Sequence, residues 1–505
     1  MKHNSPLSKI IFIFFCFILF DRLFWGELYW KIPNESSWGT DFFYNYNYEK
    51  NRLEQDSNHK DRILIIGSSI ARYSFETSLL EDYLKTKGFE REVRLLSHAG
   101  MTPIDAYGQR DSIEKMKPTL LVYPLNFVDF RIFRTHELFP DKKLKEISES
   151  EMITDALGFR YAPQVKSAYP WNVLRDFSSY ISLENKAMFL SSGLFAFYRY
   201  REFGWDNFKT IYNHRFSRNT SYFWYQGVQI PERVSTLGWT GRKFSFMVKA
   251  YMKEKGFYIQ IVPEILRNGP LVVKITSVDK TERFEFTETG WKLILLKNFE
   301  VGDSVNAELS DVFRPFEAQG DRFDYAREEM GVRLQETFGL DKPKENYHVV
   351  REERSEDIRF LNMTEKEYEE YFQYRLLQDR EKRPGLVTMQ LYKESKEKLN
   401  NEEFREFFHY KYLKLFAEEM KKRKIPTLFI LNPENPYSLA WYKDSNYLKE
   451  EYQFLKSLEG DGIVFWNLHS YLEGKDFSDY HHMTYKAVEK MNPIYGEKII
   501  DLLKK

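Results

Sequence analysis

The stretch Arg62-Ile-Leu-Ile-Ile-Gly-Ser-Ser69 is a short apolar run, rich in β-branched residues, that ends at Gly67 and leads into two serines. Such a run is typical of a strand buried on both faces of a parallel sheet. The residues that follow, 70–87, carry apolar side chains at helical spacing. A strand, a tight turn and a helix in this order predict the first unit of an α/β fold.

The same alternation of strand and helix returns on both sides of a different central region. After the first unit, the predicted elements are a strand at 93–96, a helix near 103–116 and a strand at 119–123. Near the C-terminus they are a helix at 402–424, a strand at 427–431, a helix at 445–458, a strand at 463–466 and a helix at 484–503. Alternating units at both ends predict a doubly wound parallel sheet.

The central region, about 230–335, shows a strand pattern instead. Short alternating apolar runs occur at 243–248, 257–261, 271–275, 284–286, 291–296 and 305–309. This spacing is typical of a β-sandwich. The segments 140–225 and 350–400 read as mostly helical, so the sequence predicts a β-sandwich module inserted into an α/β domain.

Composition sets outer limits on these predictions. A chain of 505 residues exceeds the usual size of one core, so we expect two folded units. Lys+Arg and Asp+Glu balance at 75 each, and the only notable basic run is 421–424, which removes the electrostatic argument for nucleic acid. The single cysteine, Cys16, allows neither an internal disulfide nor a thiolate metal site.

The N-terminus carries a membrane-inserting pattern. Lys2, His3 and Lys9 precede the apolar run 10–20, and aromatic residues follow at 24–30, where an interfacial belt would lie. Asp21 and Arg22 interrupt the run, so a cleaved signal peptide or a buried helix remain alternatives. We favour an uncleaved anchor, since no small-residue cleavage site follows, and the positive-inside rule then places the rest of the chain outside the cytoplasm.

Two groups of residues carry possible chemistry. Ser68 and Ser69 stand where the first strand turns into a helix, at the edge where α/β folds bind ligands and where a helix N-terminus favours an oxyanion. Asp479 precedes His482 by three residues, so the carboxylate can orient an imidazole that takes a proton from a serine. Each group also has a plain interpretation. The serines can simply cap the N-terminus of a helix, and the aspartate and histidine can lie in a solvated loop. Metal binding by His481 and His482 is a poorer interpretation, because adjacent side chains diverge.

Together these residues resemble the SGNH (GDSL-like) hydrolase superfamily. The first block of that family is similar to 63–69, the second to Gly100 in Ser-His-Ala-Gly-Met, the third to Asn126, and the last Asp-x-x-His block to 479–482. The third block departs from Gly-x-Asn-Asp, with Pro124 and Phe127 in place of its Gly and Asp. The order and separation of all four blocks fit.

The resemblance implies a three-layer α/β fold and a set of site residues. Ser69 would be the nucleophile, His482 the general base and Asp479 its orienting partner. The Ser69 and Gly100 backbone N–H groups and the Asn126 amide would form the oxyanion hole. Asn126 also reads as a plain loop asparagine, and Gly100 as a turn glycine. The family's acyl-serine chemistry needs no cofactor and no metal.

The anchor together with the Gly-Ser-Ser and Asp-x-x-His-Met-Thr blocks looks like the envelope branch that includes D-alanyl transfer and alginate acetylation proteins, and also like an uncharacterised family of anchored bacterial proteins with this domain. That branch implies O-acyl transfer or ester hydrolysis on an envelope polysaccharide or glycolipid, with a membrane-bound O-acyltransferase as a partner, at the outer side of the cytoplasmic membrane. The alternative is a glycan-binding or assembly component without catalysis. The central module, with Gly290-Trp291, Phe313-Arg314-Pro315 and the stretch 324–334, looks like carbohydrate-binding sandwiches. An insert that merely shapes the cleft is the other interpretation.

These inferences give a domain layout. We expect a membrane anchor over 1–32 and a tether over 33–60. The SGNH domain would follow in two parts, 61–228 and 346–505, with the β-sandwich module over 229–345 between them.

Overall fold

The chain is a mixed α/β protein, and its described residues form one parallel sheet and two antiparallel sheets. It divides into two compact units, one formed by Met1–Pro33, Phe42–Gly204 and Glu356–Lys505, the other by Asn34–Asp41 and Trp205–Ser355. We call them unit 1 and unit 2. The computed structural model describes residues 6–31, 42–56, 61–158, 169–201, 222–225, 228–231, 238–313, 329–335, 342–343, 360, 363–382 and 389–504.

The parallel sheet of unit 1 has five strands in the order β14-β13-β3-β1-β2. The strands are β1 (Arg62–Gly67), β2 (Glu92–Ser97), β3 (Leu120–Leu125), β13 (Thr427–Leu431) and β14 (Ile463–Asn467). Every adjacent pair is parallel. The order of winding therefore reverses between β1 and β3, and such a reversal opens a crevice at the carboxyl edge of a sheet.

Both faces of this sheet are buried. Alternate residues of the strands point to opposite faces, so each strand contributes to two apolar cores. One core contains Leu64, Ile66, Leu121, Tyr123, Leu125, Phe429 and Leu431, and the other contains Ile63, Ile65, Leu120, Val122, Leu428 and Ile430. This explains why the strands read as continuous apolar runs in the sequence.

Helices connect these strands. The helices of unit 1 are α1 (Pro6–Phe20), α2 (Phe42–Gln55), α3 (Ser69–Ser74), α4 (Thr77–Thr86), α5 (Pro103–Gly108), α6 (Arg110–Met116), α7 (Ile132–Leu138), α8 (Glu149–Gly158), α9 (Pro170–Phe177), α10 (Leu183–Leu194), α12 (Glu365–Lys382), α13 (Met389–Leu399), α14 (His409–Arg423), α15 (Pro436–Leu439), α16 (Asn446–Ser457) and α17 (Tyr485–Leu503). A π-helix, Asp21–Leu28, and a 3₁₀ turn, Tyr29–Lys31, continue α1. The single helices predicted at 70–87 and 103–116 are each two helices.

Unit 2 contains the two antiparallel sheets. One has the order β4-β5-β6-β11-β8-β9 and the other β10-β7-β12. The elements are β4 (Tyr222–Tyr225), β5 (Val228–Pro231), β6 (Lys243–Met247), α11 (Ala250–Glu254), β7 (Phe257–Ile261), β8 (Leu271–Thr276), β9 (Thr281–Phe286), β10 (Gly290–Ile294), β11 (Ser304–Leu309) and β12 (Arg333–Leu334). The six-stranded sheet thus begins before residue 229, where the sequence places the start of the module.

The N-terminal region differs in part from the sequence prediction. The tether predicted over 33–60 is wrong for residues 42–55, which form α2. Tyr46 and Leu53 of α2 are buried in the same core as β1, so the polar composition conceals an amphipathic helix. Among the residues that the structure describes, no helix is both long enough and apolar enough to cross a membrane.

A buried ion pair lies beside the carboxyl edge of the parallel sheet. Lys396 Nζ of α13 lies 2.5 Å from Glu434 Oε1 and 2.6 Å from Ser438 Oγ, and both charged side chains are almost completely buried. His469 Nε2 lies 2.9 Å from the other carboxylate oxygen of Glu434. Lys396 and His469 outweigh the effect of burial and lower the pKa of Glu434 to about 2. The cluster therefore ties α13 to the loops that follow β13 and β14.

Replacing Lys396 alone is expected to destabilise unit 1. Lys396→Met leaves the carboxylate of Glu434 buried without its main partner, so the free energy of unfolding should fall by roughly 3–5 kcal/mol. Urea unfolding of the full chain followed by circular dichroism measures this change. The matched control is Lys411→Met, which removes a surface pair with Glu149 at 2.8 Å. An exposed pair contributes about 0–1 kcal/mol, so equal losses in the two variants would contradict a supporting role for the buried pair.

Candidate active site

Residues that follow four of the five parallel strands lie at one edge of the sheet. Ser69 follows β1, Gly100 follows β2, Asn126 follows β3 directly, and Glu434 follows β13. Gly67 pairs with Ser97 and Leu125 with Leu431 at the ends of these strands. Because all the strands run parallel, their carboxyl ends form a single edge, and the winding reverses there between β1 and β3.

The turn after β1 is set by Gly67 and Ser68. Gly67 has a φ of +151°, and a Cβ there would lie 2.9 Å from the Cβ of Ala71 and 3.5 Å from the Pro124 carbonyl oxygen. Ser68 is the N-cap of α3, and its hydroxyl accepts a hydrogen bond from the Ile70 N–H at 3.1 Å. Ser68 thus has the capping role that is the plain interpretation of a serine at a helix start, and Ser69 is the first helical residue.

Ser69, His482 and Asp479 form a continuous hydrogen-bonded chain. His482 Nε2 lies 3.0 Å from Ser69 Oγ, and His482 Nδ1 lies 2.7 Å from Asp479 Oδ2. The side chains of His482 and Asp479 are about one-fifth exposed, so the chain reaches solvent. The ring of Tyr73, in α3, lies 4.5 Å from the ring of His482 and supports its orientation.

Asp479 is held as a carboxylate. Its Oδ1 atom accepts hydrogen bonds from the backbone N–H groups of His481 and His482, at 2.9 and 2.8 Å. Burial alone would raise the pKa of Asp479, but the neighbouring imidazoles and these hydrogen bonds hold the pKa well below its usual range. A permanently ionised carboxylate on Nδ1 fixes the imidazole tautomer with Nε2 free to accept a proton.

Gly100 and Arg131 interact across the same edge. Gly100 has a φ of +68°, a conformation that favours glycine, in the turn closed by the hydrogen bond from Met101 N–H to the His98 carbonyl. The guanidinium of Arg131 donates to the Gly100 carbonyl at 2.5 Å. This contact fixes the peptide at Gly100, and the sequence offered no signal that identified Arg131.

Asn126 is buried, and its side chain is unsatisfied. It has no exposed surface, and neither its Nδ2 nor its Oδ1 has a hydrogen-bond partner among the described residues. Its backbone N–H donates to Asp129 Oδ2 at 2.8 Å, so Asp129 fixes the start of the 3₁₀ turn Phe127–Phe130. Buried amides are normally paired, so an unpartnered one at this edge is available to a ligand.

The sequence did not identify Asp129 or Asn435 as site residues. Asp129 stands three residues after Asn126, a spacing that a capping box uses, whereas the family comparison looked for an acid at 127. Asn435 Nδ2 donates to the Asp479 carbonyl oxygen at 2.9 Å and to the Tyr368 hydroxyl oxygen at 2.8 Å. The signal for Asn435 was present in Asn-Pro-Glu-Asn, a polar run directly after a buried strand.

The loop around His482 also has the composition of a metal site. Asp479, His481 and His482 offer ligand atoms within 4.8 Å of one another. His481 is buried, and its Nδ1 atom has no hydrogen-bond partner among the described residues. A metal ion on these groups would compete with the hydrogen bonds that His482 makes to Ser69 and Asp479, so the two uses exclude each other.

Asp129 predicts a specific pH dependence of stability. Burial raises its pKa to about 7, against smaller opposing effects of Ser68, the Asn126 N–H, Arg131 and His482. Between about pH 4 and 7 the folded protein then binds more protons than the unfolded chain, so stability falls as the pH rises. The fall from this one group is on the order of 4 kcal/mol. The side chain in Asp129→Asn cannot ionise, so this variant should lack the fall in stability. Urea unfolding at several pH values between about 4 and 7 measures the difference.

The control for this prediction is Asp141→Asn, which removes an exposed loop carboxylate. A pH slope that changes no more in Asp129→Asn than in Asp141→Asn would contradict a neutral Asp129 in the folded protein.

Comparison with known proteins places the chain in a family. A family model without a functional description matches residues 34–504. The chain is 43% identical over 506 residues to a protein of Leptospira interrogans serogroup Icterohaemorrhagiae serovar Lai (strain 56601), and the match covers 99% of this chain and 95% of the relative. That relative is named only as an uncharacterized protein, so its name assigns it no activity. Because the match extends over nearly the whole of both chains, this protein belongs to the same family as the Leptospira protein.

Proposed function

We propose that unit 1 is an acyl-transferring serine enzyme of the SGNH type. The observation that carries this proposal is the hydrogen-bonded chain from Ser69 through His482 to Asp479, at 3.0 and 2.7 Å. The residues belong to opposite ends of the sequence, 413 positions apart for Ser69 and His482. A hydroxyl, an imidazole and a fixed carboxylate in this order are the groups needed to activate a serine.

The first half of the reaction forms an acyl-serine. His482 Nε2 takes the proton of Ser69 Oγ as that oxygen attacks the carbonyl carbon of an ester. The resulting oxyanion is stabilised by the backbone N–H groups of Ser69 and Gly100 and by the Asn126 amide. His482 then gives the proton to the leaving alcohol oxygen as the original ester bond breaks.

The second half returns Ser69 to its starting state. An incoming hydroxyl gives its proton to His482 and attacks the acyl-serine, and the Ser69 oxygen regains a proton as the acyl bond breaks. If the hydroxyl belongs to a sugar the result is O-acyl transfer, and if it is water the result is ester hydrolysis. Both outcomes use the same residues, and no cofactor takes part.

We further propose that the enzyme acts on an envelope polysaccharide or glycolipid from the outer face of the cytoplasmic membrane, held there by α1. Support comes from the apolar side chains of α1, nearly all of which are exposed. A helix that is apolar all round needs an apolar surrounding. A membrane-bound O-acyltransferase is the partner that the family resemblance implies.

The proposal for unit 2 is a sandwich-like module that resembles carbohydrate-binding domains. Its two antiparallel sheets and common apolar core support a sandwich arrangement. Trp239 and Trp291 are buried, so these two side chains do not provide a surface for stacking on sugars. Ser69, Asp479 and His482 all belong to unit 1, so we assign the acyl chemistry to unit 1 alone.

A fluorophosphonate probe tests the activated serine without knowledge of the substrate. The full chain in mild detergent should gain the mass of one phosphonyl group. Ser69→Ala and His482→Ala should lose the labelling, because the first lacks the nucleophile and the second lacks its base. Intact-mass spectrometry measures the fraction labelled.

The matched control is Ser68→Ala, which removes the adjacent hydroxyl and keeps Ser69. Loss of the Ser68 cap should lower stability by about 1 kcal/mol and leave labelling in place. Wild-type protein that is folded but unlabelled would favour the alternative function, a glycan-binding or assembly component that uses the fold as a scaffold.

Asn126 predicts a second, independent effect. Asn126→Ala removes one oxyanion donor, so kcat/KM for an activated ester such as p-nitrophenyl acetate should fall by about 10²–10³-fold. The control is Asn401→Ala, an exposed asparagine in a turn of unit 1. Unchanged kcat/KM in folded Asn126→Ala would show that this amide takes no part in the reaction.

A further inference from the structure

The charges that interrupt the N-terminal apolar run are bound to another part of unit 1. Asp21 is buried, and its two carboxylate oxygens accept hydrogen bonds from the backbone N–H groups of Ala196 and Phe197, at 2.7 and 2.5 Å. The guanidinium of Arg22 donates to the Leu194 carbonyl at 2.8 Å. These two neighbouring, oppositely charged side chains thus bind backbone groups on both sides of Phe195, the residue at which α10 ends.

Aromatic contacts strengthen the same junction. The ring of Phe17 lies 6.2 Å from that of Phe195, and the ring of Trp25 lies 5.7 Å from that of Phe197. Trp30, fully buried, packs edge-on against Tyr200 at 4.7 Å. The C-terminal end of α1 and the residues that follow it are therefore joined to the C-terminal end of α10 by hydrogen bonds and by packed aromatic rings.

One face of α10 is apolar and exposed. Leu183, Ala187, Leu190 and Leu194 follow the spacing i, i+4, i+7 and i+11, which places them within an arc of roughly 60° on a helix. Leu183 is 82% exposed, and Leu190 and Leu194 are each 46% exposed. We call these four residues the α10 stripe. Phe189 and Ser192, on the other side of the helix, are buried.

The stripe continues the apolar surface of α1. Leu194, its last member, supplies the carbonyl that Arg22 binds, and Phe197 just beyond is 46% exposed beside Trp25. A protein groove would cover one side of α1, whereas exposed apolar residues all round a helix fit a surrounding lipid phase. The junction therefore places the Leu194 end of the stripe beside the segment that follows α1.

We propose that the α10 stripe lies in the head-group region of the same bilayer that holds α1, so that unit 1 docks on the membrane surface at a fixed orientation. This inference rests on the proposed anchoring by α1. The occupant is phospholipid, because the stripe is a row of aliphatic side chains continuous with the anchor, the pattern of an interfacial helix.

Site-directed fluorescence in vesicles tests the proposal on the full chain. Cys16 is the single cysteine, so Cys16→Ser gives a background for one engineered cysteine that carries the polarity-sensitive fluorophore NBD. Leu190→Cys and Ala187→Cys sample the stripe. Asn185→Cys, exposed on the opposite side of α10, is the matched control, and Phe12→Cys reports on α1. The chain is reconstituted at low density in phosphatidylcholine and phosphatidylglycerol vesicles with or without nitroxide lipid. The nitroxide is on the head group for labels at 185, 187 and 190 and on the acyl chain for the label at 12, because an anchoring α1 places residue 12 in the hydrocarbon core.

The expected result is a blue shift of NBD at 187 and 190 and loss of emission with nitroxide lipid, while NBD at 185 keeps its emission in water. A quenched label at 12 with unquenched labels at 187 and 190 would overturn membrane docking and leave the anchor intact. Unquenched labels at all positions would overturn both. A blue shift at 190 without quenching would show that a second copy or another segment of the chain covers the stripe, which also overturns the proposal.

Discussion

Gly67 ends β1 at a point where a side chain would meet both Ala71 and the backbone of β3. The close approach brings the end of β1 against the end of β3 and turns the chain at once into α3. Ser69 then lies at the crevice between these two strands, within hydrogen-bond distance of His482. Any larger residue at Gly67 would have to move one of these backbones. The position of the Ser69 hydroxyl therefore depends on the lack of a side chain two residues earlier.

Two clusters of ionisable groups lie at the same edge of the sheet, one almost fully buried and the other partly exposed to solvent. Glu434, Lys396 and His469 are almost fully buried, and the Glu434 carboxylate binds the Lys396 ammonium and a ring nitrogen of His469. Asp479 and His482 remain partly exposed, and Asp479 orients an imidazole whose second nitrogen is directed to Ser69. Asn435 connects the two, because it follows Glu434 directly and donates to the Asp479 carbonyl. The buried cluster thus helps to fix the loop that carries Asp479 and His482.

The sequence predicted the parallel strands well because residues buried on both faces leave a continuous apolar run. The strand 427–431 agrees at both ends, and the last helix begins within one residue of its predicted start. Ser69, Asp479 and His482 could be named because each stands in a short motif at a strand end or before a helix. Arg131 and Asp129 could not be named, since their contacts with Gly100 and Asn126 depend on the backbone after β3. The polar segment 42–55 was predicted to be part of a tether, because composition alone does not show that Tyr46 and Leu53 lie on the same buried side of a helix.

Asp21 and Arg22 show why an interruption in an apolar run carries information of its own. In the sequence they shorten the apparent anchor and keep a signal peptide open as an alternative. In the structure Asp21 is buried against two backbone N–H groups and Arg22 binds the carbonyl at the end of α10. Charge-assisted hydrogen bonds to backbone groups are among the stronger ones in proteins, and their directions are fixed by the helix ends they bind. The two charges that interrupt the apolar run in the sequence therefore bind the segment just after α1 to the end of α10.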